Sequence, residues 1–353
     1  MRNRTPLRDV PWSRRWFASV VRLWLPVLCA IWGLRAGIAT ARADGGNVWQ
    51  GRAALGGELS VTSFGIFDLG LRKGAFSIEL LTDTLDVRFA PEVRSGRTWI
   101  GLRVETFAAG LMTSPWTDGA PDPGRAMVSG YAGLDGGYVR YLPAGFYAGV
   151  QASARLYWFL AMDQTTAEVP GLTPLFTGEA IVGHYTSISH LWIRAGADGE
   201  LSLISPHIYV EGSLRPDLPI APRIEVRGGW ADGQDFLMRT RLGGLNPYVV
   251  PLAGAAWAEF WVQNYVALRA GPSVRVPLPG HRPQTIELSL VADVAGFDGT
   301  TAIGFGALSQ WRYGRWFVQG SFGAAPWIRR GAGIERVAGF VLLGANWDAL
   351  RKK

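Results

Sequence analysis

The sequence predicts an exported, all-β protein: a single antiparallel β-barrel that crosses a membrane, of about 16 strands, with about 14 or 12 also open. Three observations carry this reading. The chain starts with a basic, then apolar leader that ends in small residues. Its body alternates apolar and polar side chains with a period of two. Aromatic residues gather near the ends of the alternating runs.

The leader comes first. Arg2, Arg4, Arg8, Arg14 and Arg15 precede an apolar run from Trp16 to Leu34, and Ala41 and Ala43 supply the small residues that a cleavage site needs. Residues 1–43 are therefore expected to be a cleaved signal peptide and 44–353 the barrel domain. An uncleaved anchor helix fits less well, because Arg22 and Pro26 interrupt the run. The lone cysteine, Cys29, lies in this leader, so the body has neither disulfides nor cysteine metal ligands. The leader also explains the charge. Its eight Arg against Asp9 account for the whole formal net charge of +7, and the remainder balances. That balance argues against a nucleic-acid partner.

In the body, Ile100, Leu102 and Val104 alternate with Gly101, Arg103 and Glu105, and Leu85, Val87 and Phe89 alternate with Asp86 and Arg88. Val150 to Trp158, Ile224 and Val226, Ile286 to Leu290, and Trp316 and Val318 repeat the pattern against polar neighbours. Asp-Gly pairs at Asp118, Asp135, Asp198, Asp232 and Asp298 supply turn chemistry between runs, which predicts hairpins in series. No alternation of strands with helices is seen, which argues against a parallel α/β sheet.

A soluble sandwich could show the same alternation. Export, an unbroken series of strands, abundant glycine and aromatics near strand ends favour the barrel. The expected girdle comprises Trp99, Phe107, Trp116, Tyr141, Phe146, Trp158, Trp192, Trp230, Trp311, Tyr313, Trp327 and Trp347. The last run, Arg336 to Trp347, carries Phe340, Leu342 and Trp347 and resembles the C-terminal assembly signal of bacterial outer-membrane proteins, although Asp348 to Lys353 follow it. In pattern the mature chain resembles a Gram-negative outer-membrane β-barrel of porin-like type. That resemblance implies residence in the bacterial outer membrane, with membrane lipid and lipopolysaccharide around it. It implies transport of a hydrophilic solute or a polysaccharide, with a periplasmic export partner possible and no cofactor.

If lipid covers the apolar face, charges must point inward, since an Arg on the lipid face would cost about 2–4 kcal/mol at mid-membrane. The inward set is expected to be Asp86, Arg88, Arg103, Glu105, Arg155, Glu211, Arg215, Arg223, Glu225, Arg227, Glu259, Arg269, Glu287 and Arg315. Their mixed signs suit either a water-filled path that selects by size and charge or a salt-bridge network that closes the barrel. Tyr157, Tyr209, Trp261 and Tyr265 are inward aromatics suited to stacking on sugars or to packing.

Residues Arg241 to Gly254, uncharged after Arg241 and rich in Gly and Pro, read as a loop before a strand from Ala255 to Arg269. It could pack on the rim, the simpler reading, or fold into the lumen as a constriction. Gly304 and Gly306 read as bends. Catalysis is not expected. The nearest nucleophile and base pairs, His184 with Ser189 and His190 with Ser187, sit in no hydrolase motif, and no metal-ligand spacing is present.

Overall fold

The computed structural model describes residues 50–348 except 60–63, 83, 94, 108–115, 118–119, 123, 125, 200–203, 234–238, 245–249, 257–258, 281–283, 327 and 329–336. The proposed leader and its cleavage site at Ala41 and Ala43 lie outside the described residues.

Sixteen strands follow one another round a closed wall. They are β1 (Gln50–Leu59), β2 (Phe64–Lys73), β3 (Phe76–Leu81), β4 (Thr84–Phe89), β5 (Gly96–Phe107), β6 (Met127–Tyr141), β7 (Phe146–Ala161) and β8 (Thr173–Tyr185). Then come β9 (Ser189–Gly199), β10 (Ile204–Leu214), β11 (Ile220–Ala231), β12 (Tyr265–Leu278), β13 (Gln284–Phe297), β14 (Thr300–Tyr313), β15 (Trp316–Ala324) and β16 (Val337–Asp348). Each strand pairs antiparallel with its neighbour in sequence, and β1 pairs with β16 from Gln50 with Asp348 to Leu59 with Gly339. Closure leaves the wall itself without an edge strand among the described residues.

The two ends of the wall differ. At the end where Gln50 meets Asp348, hairpins close over a few residues, as at Gly74 and Ala75 or Gly314 and Arg315. The opposite, loop end carries the long connections 108–126 and 232–264. Asp298 and Gly299 join β13 to β14 at that end in a two-residue turn with φ of 42° and 79°, the left-handed geometry that the pair was expected to supply.

The alternation is expressed as a period-two wall. Leu55, Ile100, Leu102, Leu134, Val150, Leu288 and Leu290 are exposed on the outer face, while Glu105, Tyr157, Arg269, Ser289 and Asp293 are buried on the inner one. Three sequence expectations change here, and the closing strand changes from the apolar-out pattern. Asp135, Gly136 and Gly137 lie within β6 and form no turn. Asp135 accepts a bond from the Trp99 indole (3.0 Å) and pairs with Arg88 (3.5 Å), while Gly137 leaves room for the Trp99 ring. Trp99 and Trp192 therefore line the lumen instead of joining a girdle; Tyr141, Phe146, Trp230 and Trp311 of the expected girdle are exposed. The side chains of Phe107, Trp116, Trp327 and Trp347 lie outside the described residues. Arg315 sits in the turn before β15, over the Trp316 ring (5.5 Å), and not in the lumen. Finally, Phe340 and Leu342 of the closing strand point inward and are buried, while Val341 and Leu343 are exposed.

The last change has a cause in the connection between β11 and β12. This segment is neither a rim loop nor the start of a strand at Ala255, since β12 begins only at Tyr265. It folds inward. A short ribbon pairs Thr240–Leu242 with Phe260–Val262, and backbone bonds from Gly243 N to Val250 O (3.0 Å) and Leu252 N to Gly244 O (2.9 Å) tie it together. Leu242, Leu252, Ala253 and Ala255 are wholly buried. They pack against Ala267, Ala295, Phe297 and Ala302 in one cluster and against Val291, Phe317, Phe340 and Leu342 in another. Gly304 and Gly323 make the close approach possible, because a Cβ on either would run into the backbone of Ala253 or Gly254. Gly304 is thus a seat for the segment and not merely a bend.

Candidate functional site

The inward segment divides the lumen lengthwise. Against the apolar inward positions of β12 to β16 and β1 it is a filler, while Arg269, Glu287, Ser289, Gln310 and Gln319 of the same strands line a further polar cavity. Beside β4 to β11 the lumen stays open as a cavity of about 650 Å³, lined chiefly by ionic and aromatic side chains.

Neighbouring strands build this ionic wall by placing charges two residues apart on one face. Arg88 lies 3.2 Å from Asp86, Arg103 3.1 Å from Glu105, and Arg223 2.7 Å from Glu225. Cross-strand pairs add Arg227 with Glu211 (3.5 Å) and Arg269 with Asp293, whose two oxygens accept from Nε (2.7 Å) and Nη2 (2.8 Å). Glu287 takes Arg215, which reaches in from the turn after β10, and Arg275 at 3.6 Å. Arg155 lies over the Tyr131 ring (5.2 Å) and bonds to Tyr157. Of the residues expected to line the lumen, Glu259 departs furthest. It belongs to the inward segment, is buried, and accepts the Ala256 N–H at 2.8 Å, closing a turn of that segment.

Two residues hold the segment from opposite sides. Asp293 Oδ2, already bonded to Arg269, also accepts the Ala253 N–H (2.6 Å). Across the lumen, Arg241 extends to Glu105 (3.4 Å), which further accepts the Tyr131 hydroxyl (3.0 Å). A buried carboxylate that takes several donors is well satisfied and fixes the register of what it holds.

Sequence reasoning missed the densest cluster. His207 of β10 is buried with Nε2 2.9 Å from Glu179 of β8 and Nδ1 3.1 Å from Asp198 of β9. Arg194 lies 3.4 Å from Glu179, and Thr177 donates to Asp198 at 2.8 Å. These residues come from three strands, so no local spacing reveals them. Asp293 was within reach of the pattern, two residues along the inward face from Val291 and four beyond Ser289.

The inward aromatics are engaged with the protein itself. Tyr157 packs on Tyr131 with centroids 4.9 Å apart, Tyr209 lies beside His207 and under Arg194, Trp261 carries the Arg241 guanidinium at 4.6 Å, and Tyr265 belongs to the apolar cluster. The histidines considered for hydrolysis sit near the short-turn end. His190 bonds to the Tyr147 hydroxyl (2.8 Å), His184 to the Ala144 carbonyl (3.0 Å), and Ser189 to Thr186 (2.8 Å). Among the described residues, neither ring is bonded to a serine.

No protein-family model and no curated protein matches the chain. Solved structures do. CdiB from Acinetobacter baumannii is similar over 85% of this chain and 60% of its own, at 11% identity and a TM-score of 0.58. BamA from Haemophilus ducreyi lacking POTRA domains 1–3 is similar over 85% of this chain and 70% of its own, at 11% identity and a TM-score of 0.58. CdiB from Escherichia coli is similar over 87% of this chain and 64% of its own, at 8% identity and a TM-score of 0.62. The chain thus spans less than two thirds of the length of either CdiB chain. At such identities the likeness is one of fold. With the closed wall, the apolar belt and the ionic lumen, it defines the fold as an antiparallel β-barrel of the bacterial outer-membrane type, with 16 strands.

Proposed function

We propose that the protein is an outer-membrane conduit that passes hydrophilic solutes through a lumen lined by Arg and Asp/Glu and narrowed by the inward segment around Leu242 to Ala256. The observation that carries this is the open, ionic cavity beside the segment: packing fills one side of the lumen and leaves the other to water. The side chains there alternate in sign, so they create a field across the path while keeping one another solvated. The exposed outer belt, with Leu55, Val266 and Leu290 each roughly two-thirds exposed, suits hydrocarbon, with lipopolysaccharide in the outer leaflet. The short-turn end faces the periplasm in this reading, where an export partner would dock. Polysaccharide as cargo draws less support, because the inward rings already have protein partners.

The test is liposome swelling by the refolded mature barrel with neutral solutes of increasing size. Entry of small solutes with a sharp size limit is expected. The inward segment favours a second reading, a closed envelope barrel, under which no solute enters. Extraction only with detergent and heat-modifiable gel mobility are expected under both readings, whereas a freely water-soluble monomer would end both.

A further inference from the structure

Three cavities of the lumen share lining residues. The large cavity is lined by Thr82 and Thr84 near the loop end and reaches Arg88 and Trp99 toward the short-turn end, with Glu211 and Arg227 on one side. The same two residues line a second cavity of about 340 Å³, to which Pro251 of the inward segment contributes a side. That second cavity shares Arg215, Glu287 and Gln310 with a third, of about 220 Å³, bounded by Thr285 and Arg312 near the short-turn end. Three polar chambers therefore adjoin one another, the last near the short-turn end, and Pro251 of the inward segment stands on the wall of the second. The joints between chambers are ion pairs: Arg227 with Glu211 (3.5 Å), then Arg215 with Glu287.

The charges along this line do not cancel. Most lining guanidiniums face a carboxylate, including those outside the chambers' own lining: Asp86 beside Arg88, Asp293 beside Arg269 and Asp217 beside Arg275. Arg155 and Arg312 have other partners. Arg155 in the first chamber has tyrosines as its partners, and Arg312 in the last donates to the Gln310 amide oxygen (3.2 Å). Among the described residues, neither has a carboxylate within ion-pair distance. The first and last chambers each thus hold a cation with no carboxylate at ion-pair distance, Glu105 acting on Arg155 only from further off. In a narrow, low-dielectric passage such charges raise the local concentration of mobile anions.

We propose that the three chambers form a permeation path for small anions that runs beside the inward segment while that segment stays seated. Its throat is Arg227 with Glu211, and Arg155 and Arg312 set its preference for anions. The inference rests on the conduit reading and names its solute class and route.

The experiment is planar-bilayer recording on the refolded mature barrel in a KCl gradient, with folding of every variant checked by heat-modifiable mobility. The wild type is expected to give a reversal potential on the chloride side of zero. In R155Q/R312Q that potential should move toward zero with the conductance retained, and E211Q, which removes a throat anion, should move it further toward chloride. A wild type that conducts with cation preference, or a reversal potential unmoved in both variants, overturns the anion path and leaves the conduit standing. A wild type that is sealed, while a variant with residues 241–254 replaced by a short Gly-Ser link conducts, also overturns this route, because passage then needs the segment out of place. If both are sealed, the conduit reading itself fails.

Discussion

Two halves of one wall use the same alternation for opposite purposes. From β4 to β11 the inward positions are Arg, Asp, Glu, His and Tyr, paired with one another and open to the cavity. From β12 round to β1, many inward positions are Ala, Val, Phe and Leu, and they are covered by the segment that descends between β11 and β12. The period of two decides which side chains point inward. It does not decide whether the inside is water or packing; that depends on what else the chain places in the lumen.

The contrast can be broken most severely at its border. Asp293→Ala removes both the partner of buried Arg269 and the acceptor for Ala253 N–H, and should destabilise the barrel by about 3–5 kcal/mol, measured by denaturant unfolding in detergent micelles. Arg88→Gln, in the open half, should cost far less, because that guanidinium is more than a third exposed. Equal losses at the two positions would show that the halves do not differ in dryness.

The outer belt comes next. Leu290→Arg places a charge against hydrocarbon and should cost about 2–4 kcal/mol in the same titration run in lipid bilayers. A cost near zero would mean that the face is solvated.

A smaller loss, about 1–3 kcal/mol, is expected from Gly304→Val, whose side chain would occupy the space of the Ala253 backbone. The same change should loosen the inward segment, read as increased protease cleavage there. Gly296→Val, where a Cβ meets nothing within 4 Å, is the control. Smallest of all, Asp217→Asn at the exposed Arg275 pair should change stability by about 0–1 kcal/mol.

Much of this was legible in advance. The alternation at Ile100 to Glu105 and at Glu287 to Leu290 assigns both faces correctly, because the two residues of each repeat point to opposite sides of a strand whatever the strand's partners are. Arg103, Glu105, Arg155, Arg227 and Glu287 accordingly lie on the inner face. The failures cluster where a residue's role is set across the barrel. Trp99 looked like a girdle residue but serves Asp135, Asp135 looked like a turn but serves Arg88, and Glu259 looked like a strand carboxylate but closes a turn of the inward segment. His207 had no promising neighbour in sequence and has two carboxylates in space.

What the sequence by itself determined is the wall: its strands, their inward and outward faces, and the tight turn at Asp298 and Gly299, all set by interactions within a few residues. Only the tertiary structure decided what occupies the lumen. A Gly- and Pro-containing connection carries no period that says whether it lies on a rim or in a core, and its place was settled by glycines at Gly304 and Gly323 and a carboxylate at Asp293, far from it along the chain but within contact distance once the wall had closed.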